Sequence, residues 1–173
     1  MCIRDSLTVN AGSGSATFGG AVGNSLALLS LIVTASGGIT ANSTLSAASI
    51  TLTGGAVDLN GTVTATGGLS STGSSFDNTG ATITTTNSAV TINHSGNVYV
   101  FIGGGTLSTG SGNVDIDAGG TLTLNAPITT TSGTVTIDAT GTTTASNNGD
   151  ISTSTGTVTF GANKNGTLTT AAD

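Results

Sequence analysis

One seven-residue phrase is written twice in this chain, 21 positions apart: Gly112-Asn113-Val114-Asp115-Ile116-Asp117-Ala118 and Gly133-Thr134-Val135-Thr136-Ile137-Asp138-Ala139. Shorter strand-like pieces, each closed by Gly, Ser, Asn or Asp, lie between the two copies. A strand that returns after about 21 residues, with other strands in between, is one turn of a coil built from strands. Related phrases occur at Val57–Gly61, Val90–His94, Leu122–Ala126 and Val158–Ala162.

The physical content of the phrase is alternation. Two apolar residues separated by one polar residue place both apolar side chains on one face and the Thr or Asp on the other. The Asn or Asp that follows is expected to turn the chain at a corner, because these residues tolerate left-handed backbone. Val90, Val114, Val135 and Val158 recur at intervals of 24, 21 and 23 residues. This spacing lets equivalent residues stack about 4.8 Å apart on successive coils. Hairpins would need two-residue Asn-Gly or Asp-Gly loops, which most of these turns lack. The expected fold is therefore all-β. It is a parallel β-helix, or β-solenoid, of roughly 21–24 residues per coil with three short strands in each, using the strand spacing above. Seven or eight coils fit the chain, and a right-handed coil is expected because parallel crossovers take that hand.

Composition excludes several functions. The chain has 173 residues, 6% charged and 3% aromatic, with net charge −6. Arg4 and Lys164 are the only cations, so there is no basic footprint for nucleic acid or for an anionic membrane surface. All eight acids are Asp, and the single Cys permits neither an intrachain disulfide nor a thiolate metal site. No apolar run reaches membrane-spanning length, so membrane insertion by this segment is not expected. Regular apolar spacing and a mean hydropathy of +0.29 argue against plain disorder.

Residues 1–6, Met-Cys-Ile-Arg-Asp-Ser, hold the only Met, Cys and Arg and resemble a translated sequencing-adapter remnant. They are set aside, leaving residues 7–173 as one solenoid segment. Leu7–Gly20 gives two strand-like pieces, and Leu26–Ala35 is a dense apolar run, either a strand pair or a short helix, with Ile32-Val33-Thr34 favouring strand. Asn97–Ile102 is also more apolar than its neighbours. The Thr-Phe-Gly core of residues 15–20 recurs in residues 157–162, at an offset of 142 from Thr17 to Thr159. That echo suggests a long super-repeat, and hence an internal fragment of a longer repeat protein.

The Gly-x-Val-Thr-Ile-Asp-Ala, Gly-Thr-Leu-Thr-Leu-Asn-Ala-Pro and Thr-Phe-Gly-Gly phrases resemble the β-strand repeats of giant bacterial surface proteins, filamentous-haemagglutinin-like adhesins and autotransporter passengers among them. The resemblance covers most of Leu7–Asp173. It implies export to the cell surface or beyond and a role as a stalk or adhesin. The implied partners are flanking repeats of the same chain and host or cell-surface glycans or proteins.

Candidate sites are few. Parallel β-helix enzymes need a cationic base or paired acids converging in a cleft. Lys164 sits in a Gly/Asn loop without an identifiable partner, and His94, the sole histidine, follows Asn93 where a solvated corner is expected. No catalytic residue is assigned. Asp115 and Asp117 share the outward side, and the valine register stacks Asn93, Asp117 and Asp138 in one column. Calcium favours such oxygen ligands, making these Asp residues weak calcium candidates, with a hydrated turn ladder as the alternative. No other cofactor is expected. Outward Thr pairs at 62/64, 121/123, 134/136, 142/144 and 157/159 could form a flat array of the kind that binds ice. Thr134, Thr136, Thr157 and Thr159 are its leading members. Tyr99 and Phe101 could project outward and stack on sugars, or be buried under a loop. Asn42, Asn60, Asn93 and Asn165 head Asn-x-Ser/Thr triplets, frequent by chance in so Ser/Thr-rich a chain.

Overall fold

A computed structural model describes residues 5–101, 106–146, 149–161 and 167–170, the side chains of Phe101 and Thr167–Thr170 excepted. Among these residues the chain is strand and turn, without helix, and every ladder joining two strands is parallel. It is a β-solenoid of about seven turns. Each complete coil contributes one strand to each of three faces.

The first face stacks Val63–Ala65, Ile83–Thr84, Leu107–Gly110, Ile128–Thr130 and Ile151–Thr153. The second stacks Ser6–Gly12, Leu28–Ala35, Leu69–Gly73, Val90–His94, Val114–Ala118, Val135–Ala139 and Val158–Phe160. The ten-residue strand Leu45–Gly54 belongs to both faces. Leu45–Ala47 pairs with the first, while Ile50–Thr53 pairs with Leu69–Thr72 of the second. The third face runs from Ser15–Phe18 through Gly38–Ala41, Ala56–Leu59, Ser75–Asp77, Val98–Phe101, Leu122–Asn125 and Thr142–Ala145 to Thr167–Thr170.

The valine register is as expected: Val90, Val114, Val135 and Val158 are direct partners on the second face. The column continues through Leu69, Ile50, Leu31 and Leu7. Between Leu31, Ile50 and Leu69 the coils shorten to 19 residues, below the expected 21–24. A second inward column carries Val33, Leu52, Ser71, Ile92, Ile116 and Ile137. Stacked apolar columns from three faces make one continuous core, with Phe76 its largest fully buried side chain. At either end the columns finish in exposed members, Leu7 at one end, Val158 and Phe160 at the other.

Leu28–Ala35 is a single strand; the alternatives of a strand pair or helix are set aside. Alternation turns Leu31 and Val33 inward and leaves Ile32 exposed beside Leu29. The two Thr-Phe-Gly phrases do not occupy equivalent places. Thr17 is on the third face and Thr159 on the second, so the 142-residue echo is not a structural repeat.

The motif's Asn and Asp do not make the corners in the manner expected. Among the described residues Asn87 is the one non-glycine residue with positive φ, at 57°. Asp117 and Asp138 are instead the fourth residues of five-residue strands. The work at the corners is done by side-chain hydrogen bonds and small residues. Asn87, Asn97 and Asn113 each accept, on Oδ1, a main-chain N–H from the next coil, of Ser111, Thr121 and Thr134 respectively. Between the first and second faces a buried Thr donates to a carbonyl three residues on: Thr109 to Gly112 at 2.6 Å and Thr130 to Gly133 at 2.9 Å. Gly112, Gly133 and Gly156 stack so closely that a Cβ on any of them would overlap the carbonyl oxygen of the coil before it.

Gly133→Ala should therefore cost more than ~2 kcal/mol, since overlap with the main chain is not relieved by a rotamer change. Thr109→Val should cost ~1–3 kcal/mol by leaving the Gly112 carbonyl without its buried donor. Urea melts followed by circular dichroism measure both. Losses within ~0.5 kcal/mol, the usual range for surface changes, would contradict this account of the corner.

Candidate functional site

Alternation, followed one residue past the Asn or Asp, turns the fifth position of the phrase inward. Ala118 and Ala139 fill it in two coils, and His94 fills it in the coil before. His94 is therefore fully buried, which corrects the expectation of a solvated corner. Its column neighbours are Gly73 on one side and Ala118 on the other, small enough to admit the ring.

Inside the core the imidazole meets Ser71, whose Oγ lies 3.0 Å from Nε2. Ser71 is itself an intruder, standing in the apolar column between Leu52 and Ile92. Phe76, from the third face, packs against the ring at 5.5 Å between centroids and 54° between planes. Nδ1 has no partner in hydrogen-bonding geometry. Burial lowers the pKa of His94 from 6.5 to about 4, with the Ser75 main chain opposing the shift. The titratable groups on the strands packed around it, Asp77, Asp115 and Asp117, occupy outward, half-buried positions. The ring is thus neutral at pH 7 and closed off from solvent, a poor general base and a structural polar pair with Ser71.

The predicted carboxylate column exists in register: Asn93 pairs with Asp117, and Asp117 with Asp138. Exposure falls along it, from exposed Asn93 to half-buried Asp117 to buried Asp138, so the C-terminal end is not a hydrated turn ladder. Asp115 belongs to the neighbouring column, between Thr91 and Thr136. Among the described residues no group of three or more His, Cys, Asp or Glu is arranged to hold a metal ion.

Tyr99 lies outward and half-buried between Asp77 and Thr123, its hydroxyl accepting from Asn97 Nδ2 at 3.3 Å. Phe101 ends the same strand, and its side chain falls outside the described set, as do Ile102 and the cations Arg4 and Lys164. The Thr pairs do not form a single array. Thr136 and Thr159 are partners on the second face, preceded by exposed Thr134 and Thr157. Thr123 and Thr144 are partners on the third face, and Thr64 is on the first. A shallow groove of about 260 Å³ at the bend between the first and second faces is lined by Ser49, Thr51, Ser70 and Thr91 with Gly67 and Gly68, and no titratable side chain enters it.

These features define a class, the parallel β-solenoid, whose outer surface is set by strand register and whose one histidine serves the core. No protein-family model matches the sequence, no curated protein matches it, and no solved structure matches it.

The buried imidazole makes stability pH-dependent. An unfolded histidine binds a proton below about pH 6.5, whereas the folded one does so only near pH 4. The unfolded chain thus holds more protons in that window, and stability falls as pH drops from 6.5 towards 4. The loss is on the order of 3 kcal/mol, at about 1.4 kcal/mol per pKa unit. Denaturant melts at pH 7, 6, 5 and 4 should show it. His94→Ala should be less stable at pH 7, through the space left beside Phe76, but should lose most of the slope between pH 6.5 and 5. An unchanged slope in that variant would remove His94 as the cause.

Proposed function

We propose that this chain is a non-catalytic structural segment of a secreted or cell-surface bacterial protein, a stalk or adhesin repeat that holds other modules away from the cell. The observation that carries this reading is uniformity. About seven turns repeat one three-faced cross-section, and its carboxylates stack on outer strand positions, Asp58 beside Asp77 and Asp117 beside Asp138, with none of them lining the groove at the bend. Catalysis needs convergent groups within hydrogen-bonding reach of a substrate, and His94, the group best suited to such work, is spent on Ser71 inside the core. A rod whose length scales with coil number, at about 4.8 Å per coil, suits a spacer. Its expected partners are neighbouring repeats of the same chain and, through weak contacts multiplied along the rod, surface glycans or proteins.

Antibodies raised against the purified chain are expected to label intact cells of the source organism, and brief protease treatment of those cells should remove the signal. Labelling that requires permeabilised cells would refute the surface assignment. Turnover of polysaccharide or ester substrates by the purified chain, abolished by a single Asp substitution, would refute the non-catalytic one.

A further inference from the structure

The first face differs from the other two in a way the strand phrases do not advertise. Each of its strands opens on an apolar residue, Leu45, Val63, Ile83, Leu107, Ile128 and Ile151 in turn, and two positions on, Ala47, Ala65, Thr109 and Thr130 are buried as well. The residues flanking the opening apolar residue point outward. Over four successive coils those flanks read Thr-Leu-Ser at 44–46, Thr-Val-Thr at 62–64, Thr-Ile-Thr at 82–84 and Thr-Leu-Ser at 106–108. The column after the apolar residue is in strict register, Ser46 with Thr64, Thr64 with Thr84, and Thr84 with Ser108. The column before it is held by the same ladder: Leu45 N–H donates to Thr62 O, Val63 N–H to Thr82 O and Ile83 N–H to Thr106 O, at 2.8–2.9 Å. The result is two parallel columns of four hydroxyls each, all exposed or half-exposed, with no charge among them.

Two further observations bear on this array. Among the described residues, no hydrogen bond ties any of these eight hydroxyls to another protein group. No charged residue stands on these outer positions until Asp150, two coils beyond, whereas the third face carries Asp58 and Asp77 over the same stretch and the second face turns acidic at Asp115. The array is therefore neutral, and its hydroxyls are free to bond water. Its spacings are about 4.8 Å between coils and about 7 Å between columns, two residues apart along a strand. β-Branched Thr adds stiffness at χ1, so most hydroxyls and their methyl groups hold fixed positions.

We propose that the first face, residues 44–46 to 106–108, is an ice-binding surface. Hexagonal ice repeats on its prism plane at two distances close to these, so water held by the hydroxyls lies near lattice positions, with the methyl groups filling the gaps between rows. Charge would spoil such a surface, because an ion orients its hydration shell about itself and against the lattice. This function goes beyond the stalk reading and stands or falls separately from it.

The test is thermal hysteresis and ice-crystal shape in solutions of the purified chain, with Thr64→Tyr and Thr84→Tyr on the first face and Thr123→Tyr on the third. The wild type should show a gap between melting and freezing points above that of an inert protein at equal concentration, and should facet growing ice. Thr64→Tyr and Thr84→Tyr should lose the gap, while Thr123→Tyr should keep it. Circular dichroism melts establish that each variant is folded. Should a tyrosine variant not fold, Thr64→Val and Thr84→Val, which keep shape and remove two hydroxyls, replace it and should diminish the gap. A folded wild type without hysteresis overturns the proposal. So does equal loss in Thr123→Tyr, or retention on insoluble cellulose with no effect on ice.

Discussion

The whole structure depends on one interaction, the main-chain hydrogen bond between a residue and its equivalent in the next coil, carried through the corners as well as the strands. Corner amides continue the ladder: Ser95 N–H donates to Gly73 O, Gly120 to Gly96 and Gly141 to Gly120. A chain so stacked cannot choose its side chains independently. Every position lies about 4.8 Å from its equivalents above and below, so a bulky or branched residue where main chains close up would displace two coils at once. This is why Gly112, Gly133 and Gly156 stand one above the other, and why Asn side chains at 87, 97 and 113 reach to the next coil's amides where regular ladder geometry lapses.

The same constraint accounts for the polar pair in the core. A hydroxyl or imidazole facing the solenoid axis has only its stacked neighbours and the opposite face within reach, and an unpaired buried polar group costs ~1–3 kcal/mol. Ser71 and His94 lie on adjacent coils and are diagonal to each other, so each satisfies part of the other's need. Room for the ring comes from the small residues in its own column, Gly73 and Ala118, and from the tilt of Phe76 opposite. An alanine coil and a histidine coil thus share one backbone. The solenoid tolerates such exchange when volume taken by one coil is released by its neighbours.

How much of this was legible in the chain follows from the same geometry. The column Val90, Val114, Val135, Val158 could be read because its phrase has two inward apolar residues and returns at nearly constant spacing. The burial of His94 could not be read so long as the fourth residue was taken as a corner; counting the alternation one residue further, from Ile92 past Asn93, reaches it. The Thr-x-x-Gly corners at 109–112, 130–133 and 153–156 were also written in the chain, but Thr is so common that the triplet spacing does not stand out. The first-face array was hidden for another reason. Its phrases are three residues long and start at 44, 62, 82 and 106, intervals that vary because the corners absorb insertions without disturbing the ladder. Register there is a property of the hydrogen bonds, and no fixed period betrays it.

The distribution of charge then decides which faces can meet another solid or another rod. On the second and third faces carboxylates stand at several coils, and in a chain of net charge −6 they repel a like neighbour and hold hydration water in their own orientation. Over four coils the first face relies on its hydroxyls, which keep water bound without charge, and among the described residues between Thr44 and Ser108 no large apolar side chain is exposed on that side. A neutral, wet strip gives the rod one side on which close approach carries no electrostatic penalty over four coils, while the second face turns acidic only from Asp115 onward, so charge varies along the rod as well as around it.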